Sequence, residues 1–200
     1  MRARLTALRK AAGRDDGQSV LEVAIVLPLL MILVLGVLDV SYALLDQHVI
    51  TKLSREGSNL ISRDASLQDA GTALGAMSTR PVDFAGGKSK VIFSVVKRVA
   101  TTGAPNFGRD ILYQRYEYGS LSATSRLTTA GAASFGPAPD YIAPNSDTNT
   151  SLQLTNLPAN LLVNGSMLYV TEIYTQHQLL TPLDRFGVSV PNTLYSIAYF

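Results

Sequence analysis

The chain has 200 residues, no cysteine, two histidines and a formal net charge of +2, with 46% hydrophobic residues. Absence of cysteine rules out a disulfide framework, a thiolate metal site and a cysteine nucleophile. The positive balance is local: residues 1–17 hold five basic and two acidic side chains, leaving twelve basic and thirteen acidic beyond them, so no basic stripe is available for nucleic acid.

The first 17 residues are short and basic, with Arg2, Arg4, Arg9, Lys10 and Arg14 preceding Gly17. A long apolar run follows, charge-free from Val23 to Leu38 and extendable through Val20-Leu21 and Val40–Leu45. That gives about 20–25 residues, the length a bilayer crossing needs. Basic residues before the span keep the N-terminus cytoplasmic and export the rest. Glu22 stands just inside the run, where a carboxylate is expensive: about 2.5–3.5 kcal/mol at mid-membrane, less near the interface. Such groups are usually kept for a role. Two simpler readings stay open at this point. A secretory signal peptide would want a shorter apolar stretch and a small-residue cleavage site, for which Ser41-Tyr42-Ala43 is a weak candidate. An uncleaved signal anchor explains everything except Gly17 and Glu22.

Helical spacing continues outward through Val40, Ala43, Leu44, Ile50, Leu53, Gly57, Leu60 and Ile61, with polar residues on the other faces. The expected first helix reaches from about Ser19 to Arg63. Ser66-Leu67-Gln68-Asp69 has the form of a capping box, so a second short helix is expected to about Met77. Segments 91–99, 111–118, 167–176 and 194–200 are rich in β-branched and aromatic residues and bounded by Gly, Pro, Asn or Asp, which predicts strands. In the third, Leu168, Val170 and Tyr174 share one face and Met167, Tyr169 and Ile173 the other. No long helical pattern separates the strands, so the sheet is expected to be antiparallel, with the helix packed across one face. Gly119–Gly165 holds three charged residues (Arg126, Asp140, Asp147) and many Ser, Thr, Ala, Asn, Gly and Pro; it predicts a long surface loop anchored at Tyr141, Ile142 and Leu161–Val163.

The organisation so read is a basic leader at 1–17, a transmembrane helix at 18–45, a polar helical region at 46–80 and a β-rich domain at 81–200. Candidates for chemistry are poor. His48 and His177 are read as solvated or structural, tyrosines 113, 116, 118, 169 and 174 as sheet packing, and Asp39 as an interfacial acid at the outer helix end. No metal-binding His pair, nucleophile elbow or phosphate-cradling loop is present, so no enzyme, cofactor or metal is expected.

Gly17-Gln18-Ser19-Val20-Leu21-Glu22-Val23-Ala24-Ile25-Val26-Leu27-Pro28 resembles the start of the TadE-like family, pseudopilins of bacterial tight-adherence (Tad or Flp) pilus systems. Leu27-Pro28-Leu29-Leu30, Asp39 with Tyr42, and Arg55-Glu56-Gly57 carry the resemblance onward. Val23 departs from the family's aromatic after the glutamate. Similarity continues weakly at Tyr174 and Leu179-Leu180-Thr181-Pro182-Leu183. TadF-like and TadG-like relatives share the same N-terminal design. The resemblance implies a pilin-like α+β fold: a long transmembrane helix continuing into a periplasmic antiparallel sheet domain, in the bacterial inner membrane. It further implies cleavage between Gly17 and Gln18 by a prepilin peptidase, where glycine lets the protease approach closely. The new Gln18 amine would pair with Glu22, in the same chain or in a neighbouring subunit, and the cost of leaving Glu22 unpaired would favour assembly. Pro28 frees the carbonyl of Ala24, so a kink is expected there. Partners would be the peptidase, other pilins or pseudopilins, and the bilayer. The alternative is an unprocessed, anchored binding or adhesion module that uses its Ser/Thr/Asn-rich loop.

Overall fold

The computed structural model describes residues 16–158, 161–179 and 192–200, with side chains from Ser19 onward. The order of elements is α1 (Asp16–Ser62), α2 (Leu67–Met77), β1 (Ser89–Arg98), β2 (Asp110–Tyr118), a 3-10 turn (Thr150–Leu152), β3 (Met167–Gln176) and β4 (Thr193–Tyr199). This is the expected α+β architecture, with one helix among the described residues long and apolar enough to cross a membrane. The described residues divide into two compact units, one holding α1 up to Tyr42 and the other running from Ala43 through Gln178 with 192–200.

In the first unit, α1 continues through Pro28 without a break in the helix. Large apolar side chains from Val20 to Val40 stand exposed, as a helix solvated by lipid requires. Leu35 and Gly36 are half-buried, and Asp39 is buried.

In the second unit the four strands form one antiparallel sheet in the order β2-β1-β3-β4. A bulge at Val95/Val96 leaves Tyr113 as the extra residue of β2. One face carries Val91, Phe93, Val95 and Ile173, and against it pack Ile50, Leu53 and Ile61 of α1 and Leu67, Ala70 and Leu74 of α2. With the buried Gly57 between Leu53 and Ile61, these positions recur every three or four residues, so both helices present a continuous face to the sheet. Ser66 caps α2 as its sequence predicts, its Oγ accepting from the Asp69 backbone N–H at 3.1 Å. Two glycines of α2 let it lie close on β2: a Cβ at Gly71 would meet Tyr116 at 2.9 Å, and one at Gly75 would meet Tyr118 at 3.0 Å.

Residues 119–165 differ from the expected surface loop. Most of the described residues among them fold back over the second face of the sheet as an irregular third layer, while Pro139 and Tyr141 turn the β2 edge to reach the helix face. Leu121 packs on Ile92 and Tyr174, Leu127 and Leu162 pack on Val96, Leu168 and Val170, and Leu152 joins Val99 and Ile111. The layer also bonds the edge of β2: Leu154 donates to the Asp110 carbonyl at 2.9 Å and Ala143 to the Tyr113 carbonyl at 2.8 Å. Only some of the expected anchors serve. Tyr141 stacks on Tyr116 at 4.6 Å and Leu162 is buried, whereas Ile142, Leu161 and Val163 are exposed. Ile142 contributes its backbone instead, bridging to Gln114. With both faces covered, β1 is buried through six consecutive residues, Val91 to Val96, so its sequence does not alternate cleanly between apolar and polar.

Candidate functional site

Gly17 and Gln18 fall within α1, in its first turn, and their side chains lie outside the described residues, as does the basic segment before Asp16. Glu22 lies one helical turn after Gln18 on an exposed part of the same helix. Pro28 follows six residues on, inside the helix. The four residues singled out in the sequence therefore share a single helix and its first three to four turns.

Farther along, the same helix docks on the sheet through a seam that is polar on one side. Gln47, Thr51, Ser54 and Ser58 recur at helical spacing and face β4. Gln47 Nε2 donates to the Tyr195 carbonyl at 3.0 Å, Ser54 and Ser196 hydroxyls pair at 2.9 Å, and Ser58 Oγ donates to the Ala198 carbonyl at 3.1 Å. Ser54 and Ser58 are fully buried, so each hydroxyl must be satisfied within the protein, and each is. Gly57 sits at the closest approach, where a Cβ would stand 2.8 Å from Thr171 Cγ2 and 3.2 Å from Phe93 Cε1. At the near end Asp46 Oδ2 meets His177 Nδ1 at 2.6 Å, which makes His177 a buried structural residue tying the end of β3 to α1. His48, next to Gln47 in sequence but turned to another face of the helix, is exposed.

Sequence reasoning missed the charged centre of the domain. Glu172 is completely buried on β3, facing the 119–165 layer. Its carboxylate accepts from the Ser125 hydroxyl, from the Arg126 backbone N–H at 2.8 Å and from the Tyr195 hydroxyl at 3.0 Å. Tyr174 divides its proton between the Thr124 carbonyl at 2.8 Å and Glu172 at 3.3 Å. Ser125 also accepts from Arg115 Nη2 at 3.0 Å, so one hydroxyl bridges an arginine and a carboxylate. Burial lowers the Arg115 guanidinium from its ordinary value, opposed mainly by Glu172. Burial, then the Glu172 charge, pushes the Tyr174 hydroxyl up to about 12 and raises Tyr195 in the same way. Both phenols therefore stay protonated donors. The signal was present, a lone glutamate inside an apolar strand, but its partners are scattered along the chain, with Ser125 47 residues away and Tyr195 23 residues away.

Among the described residues, no group of three or more His, Asp or Glu is placed to hold a metal ion. Residues 17–59 match the family model described as TadE-like protein. The matched stretch begins at Gly17 and ends inside α1, and it contains Glu22, Pro28 and the close-approach Gly57. No curated protein and no solved structure matches the chain.

Proposed function

We propose that the chain is a minor pseudopilin of a tight-adherence pilus system, not an enzyme, and that it acts through contacts between subunits. The observation that carries this reading is the TadE-like match over residues 17–59, which takes in the glycine, the glutamate and the membrane span together. The basic residues before Gly17 hold the N-terminus in the cytoplasm, and the sheet domain stands in the periplasm. A membrane prepilin peptidase cuts between Gly17 and Gln18 at the cytoplasmic face. The freed Gln18 amine becomes a cation at the bilayer surface, and Glu22 is the carboxylate within one turn of it. An acid at that depth is stabilised when a cation is brought to it, so pairing between neighbouring subunits favours their association.

Two measurements test this. Mass spectrometry of the protein recovered from native membranes is expected to find a chain beginning at Gln18. A chain still starting near Met1 would identify a signal-anchored module instead, and a start beyond Ala43 a secreted one. Glu22→Ala is expected to leave insertion and cleavage largely intact while weakening subunit association, read as loss of pili or of cross-linked oligomers. Normal pilus assembly by Glu22→Ala would sink the pairing role.

A further inference from the structure

The two edges of the sheet are treated differently. The β2 edge is closed by backbone bonds from Ala143 and Leu154 of the 119–165 layer. The β4 edge has no such cover among the described residues. Tyr169 and Phe200 exchange backbone bonds at 3.0 and 2.9 Å, which sets the phase of the β3–β4 ladder. Leu194, Ser196 and Ala198, opposite Thr175, Ile173 and Thr171, therefore bond inward to β3. Tyr195, Ile197 and Tyr199 turn their N–H and C=O groups outward. Gln47 takes the Tyr195 carbonyl, while the outward groups of Ile197 and Tyr199 have no partner among the described residues. Tyr199 and Phe200 are 49% and 61% exposed. Natural sheets guard a free edge with devices such as a lysine, another charge or a proline. Thr193–Phe200 contains none of these.

The free groups define what fits. Donors and acceptors alternating along an extended edge take another extended backbone. On the layer side β4 presents Ile197 and, by alternation, Tyr199; on the helix side it presents Ser196 and Ala198. The complementary strand is apolar on the first side and small and polar on the second. A charged strand would find no opposite charge on β4. A second copy in the same bilayer does not meet these terms. α1 and β4 run in the same direction, since Gln47 bonds Tyr195 and Ser58 bonds Ala198. Two β4 strands paired antiparallel would point their α1 helices in opposite directions, and one bilayer could not anchor both. Paired in parallel about a twofold axis, they would set N–H against N–H. The covered β2 edge closes head-to-tail pairing between copies. We propose that the β4 edge takes an extended, uncharged segment of a different protein as an added strand. The inference needs the membrane span but neither leader cleavage nor the pairing of Glu22.

The test is amide hydrogen exchange on the full chain in detergent, with an acetylated and amidated octapeptide of alternating valine and threonine as the probe. Without peptide, the Ile197 and Tyr199 amides are expected to exchange fast and the Ala198 amide slowly. Saturating peptide is expected to slow Ile197 and Tyr199 by about tenfold or more and to leave Ala198 unchanged. Ile197→Pro deletes an outward N–H without touching the β3 ladder, and is expected to weaken peptide binding by about tenfold or more. Tyr199→Lys, at an exposed position, supplies the charge that guarded edges carry and is expected to weaken binding as well. Absence of added protection would overturn the proposal, as would Ile197 and Tyr199 amides already as slow as Ala198 in the free protein. So would binding that survives both variants, or equal binding of a peptide alternating valine and lysine. Concentration-dependent protection of the protein alone, with a dimer in light scattering, would put a second copy at the edge and overturn it too.

Discussion

Glu172→Ala is expected to destabilise the sheet domain by about 3–5 kcal/mol, the usual cost of removing one partner from a buried charged network. The truncation strands several groups at once. Arg115 loses its compensating charge, and the Arg126 N–H and the Tyr195 hydroxyl lose their acceptor. Ser125 then has nothing to bridge, although it still accepts from Arg115. The Arg126 guanidinium, 3.8 Å over the Tyr195 ring, keeps a cation–π contact worth only about 0.5–2 kcal/mol. Domain stabilities of about 5–15 kcal/mol make the loss visible as a large fall in the melting temperature. Proteolysis adds a local readout: cleavage within 119–165 should accelerate, because the network pins that layer to the sheet. Alkali adds a third. The folded phenols titrate above their unfolded value of 10.0, with Tyr174 at about 12, so the folded state holds protons that the unfolded chain has lost. Stability from these groups is full below pH 10 and is lost as pH rises through that window. With Glu172 gone, the second-largest cause of the shift goes too, and the alkaline loss should shrink. A variant as stable and as protease-resistant as the parent would show that the layer is held by its leucines alone.

The contrast between Glu172 and Ser66 shows what was legible in the sequence. Ser66 and Asp69 are three residues apart and interact with each other, so the start of α2 could be read directly. The four strands were readable because β-branched and aromatic residues cluster in 91–99, 111–118, 167–176 and 194–200, and the structure places strands there to within two residues. The 119–165 layer was not readable, and for a physical reason. Leu121, Leu127, Leu152, Leu154 and Leu162 follow neither a 3.6- nor a 2-residue period, because irregular backbone aims each one separately. Its backbone groups are satisfied by partners far along the chain, Thr155 by Thr128 and Leu154 by Asp110. Low charge, read as a sign of surface loop, belongs instead to a layer that covers an apolar face with Ser, Thr and Asn tied to backbone. The imperfect alternation of β1 was the available clue: a central strand apolar on both faces requires something on each. For the candidate site, Gly17, Gln18, Glu22 and Pro28 were all legible as a local motif, whereas the Glu172 network is assembled from β2, β3, β4 and the 119–165 layer and could not be.

Substitution at Gly57 gives a test in which the sign alone is decisive. On an exposed helix face, glycine to alanine stabilises by roughly 0.5–1 kcal/mol, since it removes backbone entropy from the unfolded chain. Gly57 is buried against β3 and β1, and a Cβ there would lie 2.8 Å from Thr171 Cγ2, 3.1 Å from Thr171 Oγ1 and 3.2 Å from Phe93 Cε1. Neither neighbour has room to give: Thr171 and Phe93 are both completely buried, and Phe93 sits in the middle of the core between α1 and the sheet. Overpacking of that kind costs about 1–3 kcal/mol, more than the propensity gain. Gly57→Ala is therefore expected to lower the melting temperature by a few degrees, and Gly57→Leu to cost more by levering α1 off the sheet. The polar seam makes the lever worse. Ser54 and Ser58 flank Gly57, and a helix lifted by an ångström would leave their buried hydroxyls without Ser196 and the Ala198 carbonyl. Arg55→Ala and Glu56→Ala are the controls, since both side chains point to solvent and should change stability by no more than about 0.5 kcal/mol. If Gly57→Ala instead stabilised the protein, the close approach of α1 to β3 would be wrong. The Arg-Glu-Gly element would then need another reason for its glycine.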